Sequence, residues 1–194
     1  LYYFVFIGGG TREEIAKLFW EDNPKENFHR TLSRLRSTLG SKIIIFDESA
    51  GIYELNPEIQ LWCDALQLES LVLEARRLSF FKQHAFNLWY QATQLTYGEF
   101  LPKFDRDWVN QRRRYFHNLR IEAWMGLAKC HLQQKDYHSA LATYETVESF
   151  APYHEEAYRA RMECSSALGE TALVTNIYQT LSDHLERDLQ VEPS

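Results

Sequence analysis

Between Asn23 and Gly40 the apolar residues Phe28, Leu32, Leu35 and Leu39 recur at the spacing of one face of an α-helix. Arg30, Ser33, Arg34 and Ser37 then fall on the opposite face, with Asn27, Thr31 and Arg36 on the flanks. Asn23 is placed to cap this helix, Pro24 suits its first position, Glu26 stands where a capping acid reaches back, and Gly40 is a natural stop.

The neighbouring patterns frame this helix. Leu1 to Ile7 is wholly apolar and reads either as a strand or as the closing turns of a helix; Gly8-Gly9-Gly10 after it is a turn. Thr11 and Glu14 form a capping box ahead of Ile15, Leu18 and Phe19, so a short helix ends near Trp20. Two helices joined by a tight turn make a helix-turn-helix, in which the second helix enters a DNA groove. The β-rich runs Lys42 to Phe46 and Ile52 to Leu55, around a turn containing Gly51, read as a hairpin that follows as a wing.

From Asp64 the period is helical. Asp64 and Gln67 suggest a capping box, Leu68, Leu71, Val72, Ala75 and Leu78 mark one face, and Ala85, Leu88, Ala92 and Leu95 mark a helix running to Tyr97-Gly98. A long helical segment carries Trp108, Tyr115, Leu119, Ala123, Trp124 and Leu127 to about Gln134. At a spacing of 34 residues Ala123 meets Ala157, Trp124 meets Tyr158, Cys130 meets Cys164, Tyr144 meets Tyr178 and Val147 meets Leu181. That is the tetratricopeptide period. Two copies are too few to be stable alone, so the preceding helices must stack on them and Thr171 to Asp188 must close the array. Trp124, Tyr144, Tyr158 and Tyr178 are expected in its stacking core. Arg161 and Met162 stand where such repeats prefer leucine and a small residue. The fold class is therefore mainly α, a partial winged helix-turn-helix over 1–60 followed by a tetratricopeptide-like array over 61–194.

Charge sharpens the first domain. Lys25, Arg30, Arg34, Arg36 and Lys42 stand against the single acid Glu26, in a chain whose net charge is -6. A helix with an apolar back and a basic, hydrogen-bonding front suits a DNA groove, whereas the overall acidity excludes a general polyanion binder. The wing tip, Asp47 and Glu48, would repel phosphate, leaving Lys42 or backbone amides to make any wing contact.

Other chemistries find little support. The seven histidines are scattered, no Gly-x-Ser-x-Gly, His-Glu-x-x-His or phosphate loop occurs, and the three cysteines sit as small hydrophobes in helical patterns. No catalytic residue, cofactor or metal is expected. No apolar run is long enough for a membrane helix and no secretion signal opens the chain, which reads as cytoplasmic. Starting without Met and in mid-pattern, it reads as a fragment cut at both ends.

Thr11-Arg-Glu-Glu-Ile-Ala-Lys-Leu-Phe-Trp20, Asn27-x-x-Arg30-x-Leu-Ser-Arg-Leu-Arg36-x-x-Leu39-Gly40 and Gly51-Ile-Tyr-Glu-Leu55 resemble the OmpR-type winged helix of the Streptomyces antibiotic regulatory protein family. Tyr97-Gly-Glu-Phe-Leu-Pro102, Asp107-Trp108, the repeat and Leu189-Gln-Val-Glu-Pro-Ser194 resemble that family's bacterial transcriptional activator domain. The resemblance implies an activator that binds promoter repeats in double-stranded DNA, contacts RNA polymerase and pairs with a second copy on DNA. The family's reading helix maps onto Lys25 to Leu39, which gives Asn27, Arg30, Thr31, Ser33, Arg34 and Ser37 candidate DNA roles. Arg36 on the flank would hold a phosphate or pair with an acid of its own domain. The family's strands ahead of the first helix have no counterpart, so the winged helix is expected to lack them. The competing reading is a protein-interaction scaffold with a degenerate winged helix, favoured by the acidic wing and by seven basic residues against nine acids over positions 1 to 60.

Overall fold

The computed structural model describes residues 1–193, so the last residue of the closing Leu189–Ser194 motif lies outside it. The chain divides into two compact units, Leu1–Leu61 and Trp62–Ser194.

The first unit orders α1 (Tyr2–Phe6), α2 (Arg12–Phe19), α3 (Pro24–Leu39), β1 (Ile44–Asp47) and β2 (Ile52–Leu55). Leu1 to Ile7 is thus mostly a short helix, the second of the two options the sequence allowed. The capping box of α2 is formed: the Glu14 amide donates to Thr11 Oγ1 at 3.2 Å and the Thr11 amide donates to Glu14 Oε2 at 2.8 Å. The hairpin is antiparallel, with Ile44 opposite Leu55 and Asp47 opposite Ile52, and Gly51 takes φ +68° in its loop. The glycine run is more than a turn. Gly10 exchanges backbone hydrogen bonds with Tyr53 at 3.0 and 2.8 Å, adding a third edge to the hairpin. A Cβ on neighbouring Gly9 would stand 3.0 Å from the Tyr53 carbonyl oxygen and 2.7 Å from Ile52 Cδ1, so glycine suits this close approach of the chain. Phe4, Ile15, Ala16, Phe28, Leu32, Ile43 and Ile44 form the core, with Tyr53, Leu55 and Trp20 packed against it.

The second unit is a sequential helical stack: α4 (Asp64–Ala75), α5 (Gln83–Thr93), α6 (Asp107–Gln133), α7 (Tyr137–Phe150), α8 (Glu155–Ala167) and α9 (Thr171–Leu189). Each helix packs on the next, and α4 also reaches α6. The α4–α5 pair therefore stacks on the repeats, and α9 is the last helix of the stack among the described residues. Tyr144 and Tyr158 are buried, and the half-buried Trp124 donates its indole N–H to Thr96 Oγ1 at 3.0 Å. Arg113 holds the Tyr97–Asp105 loop, donating to the carbonyls of Phe100, Leu101 and Phe104 at 3.2, 2.9 and 3.1 Å.

Four expectations are corrected. Tyr178 is 51% exposed instead of stacked, because no described helix follows α9 to cover the face that Tyr144 buries against α8; Ile177, Leu181 and Leu185 form the buried stripe. Asp64 makes no capping box: Cys63 occupies the cap position, and Asp64 Oδ1 accepts from the next amide, Ala65, at 2.8 Å. Helix α5 ends at Thr93 and not at Tyr97, with tight turns through Thr96. Asn23 does not cap α3 with its side chain. It adopts the left-handed conformation, φ 47° and ψ 51°, away from the extended backbone that aims a capping oxygen at the first-turn amides.

Candidate nucleic-acid interface

Helix α3 has a sharp division of labour around its circumference. Phe28 and Leu32 are buried in the core and Leu35 is half-buried, while Leu39 is 46% exposed, so the apolar stripe anchors the first three turns and frays at the last. Phe28 packs edge-on against Tyr53 of the hairpin, ring centroids 4.9 Å apart, tying the helix to the wing. The exposed face is continuous: Lys25, Glu26, His29, Arg30, Ser33, Arg34, Ser37 and Thr38. His29 and Thr38 stand on this face as well, at the spacing that selects Ser33 and Arg34.

The nine residues singled out in the sequence do not form one surface. Lys25, Arg30, Ser33, Arg34 and Ser37 share the exposed face of α3, and Lys42 is exposed in the turn leading to β1. Arg34 and Ser33 have no side-chain partner among the described residues. Ser37 turns its hydroxyl onto the Arg34 carbonyl at 2.9 Å, which still leaves the oxygen free to accept. Lys25 lends a weak attraction to Glu13, whose carboxyl is held below the usual range chiefly by its hydrogen bond from Arg12.

The other three point elsewhere. Thr31 is half-buried and lines an apolar cavity with Tyr3, Phe19, Trp20, Leu32 and Leu35, behind the exposed face. Arg36 is half-buried, and both Nε and Nη2 donate to the carbonyl of Ile44, at 3.1 and 2.7 Å. Among the described residues it pairs with no acid, and instead it clamps the helix to the first wing strand. Asn27 is half-buried; its Nδ2 donates to the Asp22 carbonyl at 2.8 Å and its Oδ1 accepts from Arg30 Nη2 at 2.8 Å.

The wing tip is preordered and negative. Asp47 Oδ1 accepts from Ser49 Oγ at 2.6 Å and from the amides of Ser49 and Ala50 at 2.8 and 3.2 Å, which holds its carboxyl below the usual range. It is ionised at neutral pH, so the wing tip carries a fixed negative charge.

A helix-turn-helix with a hairpin wing, followed by a tetratricopeptide-like array, is the architecture of Streptomyces antibiotic regulatory proteins. Residues 63–194 match the bacterial transcriptional activator domain, and the chain belongs to that family. No curated protein matches it. Among the described residues no group of three or more His, Cys, Asp or Glu could hold a metal ion, and no helix is long and apolar enough to cross a membrane.

Proposed function

We propose that the chain is a sequence-specific DNA-binding transcriptional activator. Helix α3 lies in the major groove and presents Arg30, Ser33, Arg34 and Ser37 to bases and backbone, while Lys25 and Lys42 meet phosphates at its two ends. His29 and Thr38 complete the contact face. The observation that carries this reading is the exposed, basic face of α3, whose opposite face is anchored in the core ahead of an activator domain. In a chain of net charge -6, affinity from one such helix is modest, so two copies pair on repeated sites. The helical array then offers its surface to RNA polymerase.

The test is binding to a site selected from random DNA, titrated against salt. A steep loss of affinity with salt, made shallower by about one phosphate contact in Arg34→Ala, is the expected result. Flat or absent binding would instead favour an interaction scaffold, the reading that the exposed wing-tip acids support.

A further inference from the structure

Two arginines share the exposed face of α3, one turn apart, yet they are held differently. Arg34 carries no partner among the described residues. Arg30 donates from Nη2 to Asn27 Oδ1 at 2.8 Å, and Asn27 is itself tied through Nδ2 to the Asp22 carbonyl at 2.8 Å. Asp22 lies in the turn between α2 and α3, next to Asn23 in its left-handed conformation. The tie therefore runs from the backbone of the turn, through one amide side chain, to one guanidinium.

Both functional ends of Asn27 are engaged. An asparagine reads adenine with its Nδ2 donor and Oδ1 acceptor together. Here one Nδ2 hydrogen and one Oδ1 lone pair are already committed along the protein, which fixes the amide by both its ends. What it offers is restraint. An exposed arginine loses considerable rotamer freedom when it fixes on a base, and a guanidinium already held in place has lost part of that freedom before DNA arrives. The bond to Asn27 uses one hydrogen of Nη2, leaving the guanidinium its other donors for a guanine edge.

We propose that Asn27 is a positioning residue that pre-sets Arg30 as the base reader of α3, while the unrestrained Arg34 serves the phosphate backbone. This rests on the DNA-binding reading above. It sorts the basic face into one arginine for specificity and one for affinity: the restrained side chain discriminates, and the free one adapts to the continuous backbone of any sequence.

The experiment is a double-mutant cycle of Asn27→Ala and Arg30→Ala on the selected site and on scrambled duplex of equal length. Asn27→Ala should weaken the selected site on the order of tenfold, leave scrambled DNA and the salt slope nearly unchanged, and add nothing once Arg30 is already Ala. Additive losses would overturn the inference, since they would mean that Asn27 acts on its own. A DNA-free measurement accompanies the cycle. Side-chain ¹⁵N relaxation of the wild-type protein should show the Arg30 guanidinium markedly more ordered than that of Arg34, with the difference abolished in Asn27→Ala. Equal mobility of the two in the wild type would sink the positioning role whatever the DNA result. Absence of DNA binding by the wild type would overturn the activator reading, and with it Arg30 as a base reader.

Discussion

Arg36 donates twice to the carbonyl of Ile44, from Nε at 3.1 Å and from Nη2 at 2.7 Å, and so fastens α3 to the wing. The carbonyl belongs to the first residue of β1, whose side chain is fully buried beneath the hairpin. One guanidinium thereby ties the basic helix α3 to the first strand of the hairpin. Lysine keeps the charge at this position but not the fork of donors.

Arg36→Lys should therefore destabilise the first unit by about 1–2 kcal/mol, the worth of a charge-assisted hydrogen bond at a half-buried site. Denaturant unfolding of the full chain would read this as an earlier transition of the first unit. On DNA an Arg36→Met variant, which removes the charge, should keep the wild-type salt slope if this guanidinium is spent on the Ile44 carbonyl, whereas Arg34→Ala lowers that slope by about 0.9. A lowered slope in Arg36→Met would return this residue to the DNA surface.

Much local chemistry was legible in the chain where the partners are three or four residues apart, although the same spacing at Asp64 and Gln67 makes no capping box. The Thr11–Glu14 box, the apolar stripe of α3 and the hairpin around Gly51 all follow from short-range spacing. The array was legible from its 34-residue period. Arg36 was not, because its partner is a backbone carbonyl on another element, and a carbonyl leaves no mark on residue identity. Thr31 stands on the flank, where its spacing puts it, and only the packing of Tyr3, Phe19 and Trp20 decides to which side it leans. Tyr178 shows the limit of period matching, which transfers residue type between repeats but not the neighbour that buries it.

Close packing in the array gives a second prediction. Gly126, in mid-helix on α6, lies directly beneath the buried indole of Trp89 on α5, and a Cβ there would fall 2.6 Å from Cε2 and 2.7 Å from Cε3. Alanine would gain about 1 kcal/mol of helix propensity but must push aside a ring stacked on Phe80. Overpacking of this kind costs about 1–3 kcal/mol. Gly126→Ala should lower the midpoint of thermal unfolding of the array, and Trp89→Phe in the same chain should recover part of the loss.

The three cysteines should differ sharply in reactivity. Cys130 and Cys164 are fully buried, and burial pushes the Cys130 thiol up to about 11 and raises that of Cys164 as well. Cys63, ahead of α4, is partly exposed. Since the thiolate is the reacting species, a disulfide reagent at pH 8 should titrate one thiol rapidly in the native protein and the other two only on unfolding. Replacing Cys63 by Ser should abolish the fast phase.

Between α7 and α8 a charged pair replaces an apolar repeat contact. Arg161 donates from Nη1 to Glu148 at 2.5 Å and from Nη2 to Glu145 at 3.1 Å, with the Glu148 side chain only 9% exposed. Burial outweighs the attraction of Arg161 and raises the Glu148 carboxyl above its ordinary value. The desolvation of this pair therefore consumes much of what its Coulomb attraction supplies. Removing one partner strands the other: Arg161→Leu alone should cost about 3 kcal/mol. Arg161→Leu with Glu148→Leu puts the repeat's preferred leucine at 161 and should be neutral or more stable than wild type by about 1–2 kcal/mol. The pH dependence carries its own sign. A carboxyl whose value is raised on folding contributes stability below its unfolded value, and that contribution is lost as pH rises through the folded one. Wild-type stability should thus fall as pH climbs just above the ordinary carboxylate range, and the double-leucine variant should lack that component. Equal pH profiles for the two proteins, measured by denaturant unfolding, would mean that Glu148 titrates as an ordinary surface acid and that Arg161 sets the register of α8 by packing alone.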